Sequence, residues 1–235
     1  MKRLVVIPSD PIAEYEKAGY DWLERYYNPA GMFDEVVAAS PLEQGERKAH
    51  GMTIRGVRNG QFKSMLSELR PQVVRAYGGY WPSDFVARNR LADIPVVVSV
   101  HDSRPAMVHE SLRFADLVVC TSEIVRGQVL SRGVDRRRTR ILPNRIDRSV
   151  FKPSANPQKF GELAGNFPPG KHILHVGRKS EQKNLDTLIR ALEFLPADYS
   201  CVFIGRGDRS PYESVAKEKG VAGRCFWVES VKNSE

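Results

Sequence analysis

Short apolar runs recur along the first half of the chain, each closed by polar or glycine-rich residues. Leu4 to Ile7 stops at Pro8-Ser9-Asp10, and Val36 to Ala39 stops at Ser40-Pro41. Val73 to Ala76 runs into Tyr77-Gly78-Gly79, Val96 to Val100 into His101-Asp102, and Leu117 to Cys120 into Thr121-Ser122-Glu123. These runs are β-branched and continuous rather than alternating, the pattern of strands buried on both faces. Segments of helical character lie between several of them: Ile12 to Tyr27, and Gln61 to Leu69 with Phe62, Met65, Leu66 and Leu69 at helix spacing. Strands alternating with helices predict a parallel α/β sheet, whose ligands bind beyond the carboxyl ends of the strands.

The second half repeats the scheme. His172 to Val176 predicts a strand ending at Gly177-Arg178-Lys179. Leu185, Leu188, Ile189, Leu192 and Leu195 then form an apolar helical stripe. Cys201 to Ile204 predicts a further strand, ending at Gly205-Arg206-Gly207-Asp208. Ser210 is expected to cap the next helix, with Pro211 at its first position, Glu213 completing a capping box and Gly220 as its stop. Cys225 to Val228 begins another strand. The region around 141–170 carries Pro143, Pro153, Pro157, Pro168 and Pro169 with little apolar periodicity, so it reads as a linker. The expected domains are 1–143, a linker at 144–170, and 171–235.

The chain is 41% hydrophobic and 27% charged, enough apolar material for a packed core. A net charge of +8 suits anionic partners such as nucleotides, sugar phosphates or acidic lipid surfaces. The cysteines, Cys120, Cys201 and Cys225, are odd in number and lack metal-like spacing. Cys120 and Cys201 sit in apolar runs, which predicts buried free thiols and a reducing, cytoplasmic setting. The N-terminal apolar run is too short for a signal peptide, and none approaches the roughly 20 residues that span a bilayer. Arg136-Arg137-Arg138 with Arg140 reads first as a solvated face, next as an attraction to donor or acidic membrane. Nucleic acid ranks last, because no recognised binding module accompanies the run.

Gly177 and Arg178, followed by Lys183 between a strand and a helix, form the strongest chemical signal. Glycine allows close backbone approach, arginine offers a planar fork to phosphate oxygens, and lysine adds a point charge near a helix start. Spacing alone equally allows two solvated basic residues on a loop. Two other phosphate patterns fail. In Gly165 to Lys171, His172 replaces the required Ser or Thr, and a strand follows rather than precedes the loop. Gly205-Arg206-Gly207 has Ser210 where a dinucleotide fingerprint needs its third glycine. Tyr77, Gly78 and Gly79 suit either backbone approach to substrate or a simple turn. Asp102 suits either orienting His101 or beginning a turn.

The chain resembles family 4 glycosyltransferases of the GT-B fold. The residues carrying the likeness are Ile141-Leu142-Pro143-Asn144-Arg145-Ile146-Asp147, Phe151-Lys152-Pro153, Ile173 to Arg178, Glu181-Gln182-Lys183-Asn184, Val202 to Gly207 and Ala115 to Glu123. The resemblance implies two Rossmann-like domains, the second incomplete, and a retaining, metal-independent transferase using a nucleotide-sugar donor and no cofactor. It implies a glycan, lipid-linked or small-molecule acceptor, peripheral contact with acidic membrane, and no nucleic acid. Arg178 and Lys183 would hold the donor phosphates, with Gly177, Gly205 and Gly207 beside them, and His101 would face the donor sugar. Ser9 and Asp10, with Tyr77, Gly78 and Gly79, would lie on the acceptor side. Pro8-Ser9-Asp10-Pro11 stands where the family has a glycine-rich loop, and Arg145 stands at a hinge that commonly has glycine. The family's later pair of glutamates is not in this sequence, so the chain reads as truncated and its second sheet as open on an edge or face. A non-catalytic module for a phosphorylated ligand or glycan is the alternative.

Overall fold

The structure, a computed structural model, describes residues 1–20, 22–144, 146, 148 and 167–229. The expected hinge at Arg145, the Phe151-Lys152-Pro153 motif and most of the proposed linker lie outside them. The chain divides into two compact units, Met1–Arg145 and Ile146–Glu235.

Unit 1 contains β1 (Arg3–Ile7), β2 (Glu35–Ser40), β3 (Glu46–Ala49), β4 (Met52–Gly56), β5 (Val73–Tyr77), β6 (Val96–Val100), β7 (Leu117–Cys120) and β8 (Thr139–Ile141). They form one sheet in the order β3-β4-β2-β1-β5-β6-β7-β8. Every pairing is parallel except β3 with β4. Side chains alternate across the pleat, so Val5 and Ile7 enter one core with Phe62, Leu66 and Val86. Leu4 and Val6 enter the other, with Ile12, Leu23 and Tyr27. Burial on both faces is why these strands read as unbroken apolar runs.

The helices of unit 1 are α1 (Ile12–Lys17), α2 (Leu23–Tyr27), α3 (Asn59–Leu69), α4 (Trp81–Asn89) and α5 (Glu123–Ser131). The segment from Ile12 to Tyr27 is not one helix: it breaks around Gly19, whose φ is +79°. The β3–β4 hairpin escaped the apolar pattern because Glu46, Arg47 and Lys48 are exposed on an edge strand, where charge prevents unwanted pairing. Its turn, His50-Gly51, uses positive φ at both residues.

Unit 2 contains β9 (Lys171–Val176), β10 (Tyr199–Ile204) and β11 (Cys225–Val228), paired in parallel in the order β11-β10-β9. Its helices are α6 (Leu185–Ala191) and α7 (Ser210–Glu218). Leu185, Ile189 and Leu192 pack on Cys201 and Phe203, with Leu188 and Leu195 partly buried beside them. The opposite face is open on β9, where Leu174 and Val176 are 61% and 70% exposed. The cap of α7 differs from expectation. Ser210 is already helical, Arg209 is the cap residue, and the Ser210 side chain makes no capping bond. The Asp208 carboxylate instead accepts from the Ser210 N–H at 2.9 Å, and Glu213 pairs with Arg209 at 3.0 Å. All three cysteines are buried and free, and burial pushes each thiol up to about 11.

Among the described residues, no helix is long and apolar enough to cross a membrane. Phe62 is fully buried and packs 5.0 Å from the Phe85 ring. Phe62→Ala should lower stability by about 3–5 kcal/mol, read by denaturant unfolding.

Candidate functional site

The order of the first sheet reverses beside β1. The chain moves outward through β2 and β4, then returns to β5 on the other side of β1 and continues outward through β6. Such a reversal leaves a crevice beyond the strand carboxyl ends. Ser9, Tyr77-Gly78-Gly79 and His101-Asp102 lie at the carboxyl ends of three neighbouring strands and line one cleft of about 470 Å³. Asp10 joins them through hydrogen bonds: Ser9 Oγ donates to its carboxylate at 2.8 Å and lies 2.8 Å from the Tyr15 hydroxyl.

Aromatic rings form the rest of the wall. Tyr15, Tyr20, Trp22 and Tyr26 follow one another with centroids 6.0, 5.1 and 5.4 Å apart. Tyr26 then meets Tyr27 at 5.2 Å and Tyr77 at 5.4 Å. Burial raises the Tyr27 and Tyr77 hydroxyl pKa values, so both stay protonated. The Tyr77 hydroxyl is buried and has no protein partner among the described residues. Arg75 lies 4.7 Å from the Tyr77 ring centroid and donates to Ser99 Oγ at 3.1 Å. Of this group only Tyr77 stood among the residues expected at the site; Arg75 and the rings between residues 15 and 27 did not. Their signals were a lone charge inside an apolar strand and a crowd of rings between residues 15 and 27.

The glycines here serve internal packing as well as the cleft. A Cβ on Gly79 would meet the Met107 carbonyl at 2.9 Å, and one on Gly78 would meet the Tyr80 ring at 2.7 Å. His101 is exposed at the rim, yet the surrounding walls desolvate its ring and lower its pKa. A hydrogen bond with Asn144 opposes that shift, and the Arg75 charge reinforces it. The imidazole is therefore neutral at pH 7 and can donate and accept hydrogen bonds. Asp102 does not orient His101. It is held by Arg104, whose backbone N–H donates at 2.8 Å and whose guanidinium forks onto the carboxylate, keeping it ionised.

In unit 2 the loops after β9 and β10 lie side by side. Gly177 N–H donates to the Ile204 carbonyl at 2.9 Å, and Lys179 N–H to the Arg206 carbonyl at 2.7 Å. A side chain on Gly205 or Gly207 would strike the backbone of Gly177 or Lys179, and both glycines have positive φ, +143° and +122°. Glycine is therefore required where the two loops touch. Arg178 and Lys183 are exposed, and neither has a carboxylate within ion-pair distance among the described residues. Lys183 does not open the helix: it ends a short 3₁₀ turn, Glu181–Lys183, and left-handed Asn184 separates it from α6. The Ser180 hydroxyl and His175 Nδ1 are buried without partners among the described residues. Open cations on the loop, with orphaned polar atoms on it at Ser180 and near the end of β9 at His175, suit an oxygen-rich anion. Lys179, which the sequence reading did not single out, is 5% exposed beneath this loop sequence.

The arginine run is solvent-exposed, with Arg137 forking onto Asp135, whose pKa falls to about 2. Among the described residues, no group of three or more His, Cys, Asp or Glu could hold a metal ion.

Residues 45–150 match the family model described as Glycosyltransferase Family 4. No curated protein matches the chain significantly in sequence. Among solved structures, Anabaena HepE in complex with UDP aligns with a TM-score of 0.73 at 16% identity, over 99% of this chain and 70% of that one. A glycosyltransferase from Rickettsia africae aligns with a TM-score of 0.71 at 12% identity, over 99% and 69%. Sucrose-phosphate synthase from Thermosynechococcus elongatus gives 0.69 at 15% identity, over 100% and 72%. The matched family segment includes Tyr77, Gly78, Gly79 and His101 of the cleft, whereas the rings of Tyr15, Tyr20, Trp22, Tyr26 and Tyr27 and the Gly177–Lys183 loop lie outside it.

The His101 ring should titrate below the ordinary imidazole range by NMR, and Arg75→Met should move its pKa upward. Gly205→Ala should lower the melting temperature, whereas Gly127→Ala, in open space on α5, should stabilise by up to about 1 kcal/mol in the same thermal scan.

Proposed function

We propose that this chain, a glycosyltransferase on the GT-B fold with a Family 4 segment, moves a sugar from a nucleotide-sugar donor to an acceptor with retention of anomeric configuration. The observation that carries the reading is the pair of open cations, Arg178 and Lys183, on a glycine-framed loop of unit 2. When the glycosyl bond breaks, negative charge collects on the departing nucleoside diphosphate. Cations already fixed in place stabilise that charge without reorganising, and losing one such contact costs on the order of 10²–10³ in rate. In this reading the protein's own cations do the work that a divalent metal does elsewhere, and no cofactor takes part. Neutral His101 serves as a hydrogen-bond partner to a sugar hydroxyl rather than as a charge.

HepE was solved with UDP, with UDP and glucose, and with UDP-glucose, which supports a uridine donor as the first to test. The aromatic cleft of unit 1 supports an acceptor with an apolar ring face and hydroxyl edges, as in a glycan, a lipid-linked sugar or a small sugar. Exposed Arg136, Arg138 and Arg140 support peripheral contact with acidic membrane. Buried, free thiols support a cytoplasmic setting.

Titration calorimetry with UDP, GDP and ADP tests the donor site. At least one should bind, and Lys183→Ala should weaken it by about 1.5–3 kcal/mol, the scale of a hydrogen bond to a charged group. Unchanged binding by that variant would remove the phosphate assignment. Transfer of labelled sugar from the matching donor then separates a transferase from a module that only binds.

A further inference from the structure

Unit 2 holds one feature that the donor reading does not need. Lys179 is only 5% exposed, although the neighbouring Arg178 is in solvent. Its ammonium reaches no carboxylate among the described residues. It donates instead to the carbonyl of Gly205, which follows β10, and to that of Val228, which ends β11, the latter at 3.1 Å. Its own backbone N–H is tied to the Arg206 carbonyl. One residue on the β9 loop thus binds the ends of both other strands.

A buried ammonium without a counter-ion is costly, several kcal/mol even after relaxation. Two carbonyl dipoles offset part of that cost, and a methionine of similar length would avoid it altogether. The third ammonium N–H has no acceptor among the described residues. Ser180 Oγ, the next residue along, and His175 Nδ1, near the end of β9, are also buried without partners among the described residues. Nearby Arg178 and Lys183 also lack an ion pair among the described residues, so the loop carries three cations and a single carboxylate, Glu181, that pairs with none of them.

We propose that Lys179 is a third cation of the phosphate site, a positioning residue that ties the β10 and β11 ends to the Arg178 loop and whose buried charge a bound diphosphate balances. The inference rests on the donor-site reading above. Arg178 and Lys183 meet the anion from the solvent side, while Lys179 sets the spacing of the glycine-framed loops and holds a positive field behind them. Such a field weakens little with salt, because a buried charge is poorly screened.

The test is calorimetry with UDP, and with inorganic pyrophosphate, on the whole chain and on Lys179→Met, Lys179→Arg and Lys183→Ala, each with a melting curve. Lys179→Met should bind both ligands about tenfold more weakly, because the loops lose the tie that sets their spacing and the site loses one buried positive charge. It should nevertheless melt no lower than the parent, because an apolar residue of similar length removes an unbalanced buried charge. Lys179→Arg should recover most of the affinity. Parental affinity in Lys179→Met, alongside weakened Lys183→Ala, would overturn the inference and leave the donor reading standing. A fall in melting temperature with no recovery by arginine would reduce Lys179 to a packing role and also overturn it. If the parent chain binds neither ligand, the donor reading fails and takes this inference with it.

Discussion

Parallel strand pairing is the constraint from which the candidate chemistry follows. In a parallel sheet all carboxyl ends lie on one side, so the residues just after successive strands become neighbours whatever their separation in sequence. In unit 1 the pairings of β1 with β5 and of β5 with β6 gather Ser9, Tyr77 and His101 from positions spread over some ninety residues. In unit 2 the pairing of β9 with β10 sets the Gly177 loop against the Gly205 loop. Strand register, fixed by two buried faces, therefore decides which polar side chains meet.

The two units complete those strand ends differently. Unit 1 surrounds its cleft with rings and hydroxyls, and its charged groups are partly spent: Asp102 on Arg104, and Arg75 on Ser99 and the face of Tyr77. Unit 2 presents Arg178 and Lys183 with no carboxylate within ion-pair distance among the described residues, beside glycines whose Cβ positions are occupied by backbone. A ring-lined cleft suits a ligand with an apolar face and hydroxyl edges, and an unbalanced cationic loop suits phosphate. In the proposed transfer, a donor and an acceptor make those two demands.

Much of the framework was legible in the sequence, because strands buried on both faces and a helix with one apolar stripe leave direct signatures. Leu4 to Ile7 and Val96 to Val100 form the strands their patterns predict, and the Leu185–Leu195 stripe forms an α-helix as far as Ala191, then a 3₁₀ turn over Leu192–Phe194 that leaves Leu195 extended. The β3–β4 hairpin left no such mark, since charged edge strands read like loop. The cap of α7 was misplaced by one residue because Asp208 took the role that serine commonly fills. Arg178 and Lys183 could be picked out by type and spacing. Lys179 could not, since burial of a lysine depends on which carbonyls the fold brings to it. Nor could Asp102 be assigned, as its choice between His101 and Arg104 is a matter of turn geometry.

The proposed grip of the Gly177–Lys183 loop on a donor diphosphate is tested most directly by a crystal structure of the chain with a bound nucleoside diphosphate. Phosphate oxygens within hydrogen-bond distance of the Arg178 guanidinium and the Lys183 ammonium are the expected result. A diphosphate seated elsewhere, in the aromatic cleft of unit 1 or on the exposed arginine run, would contradict it.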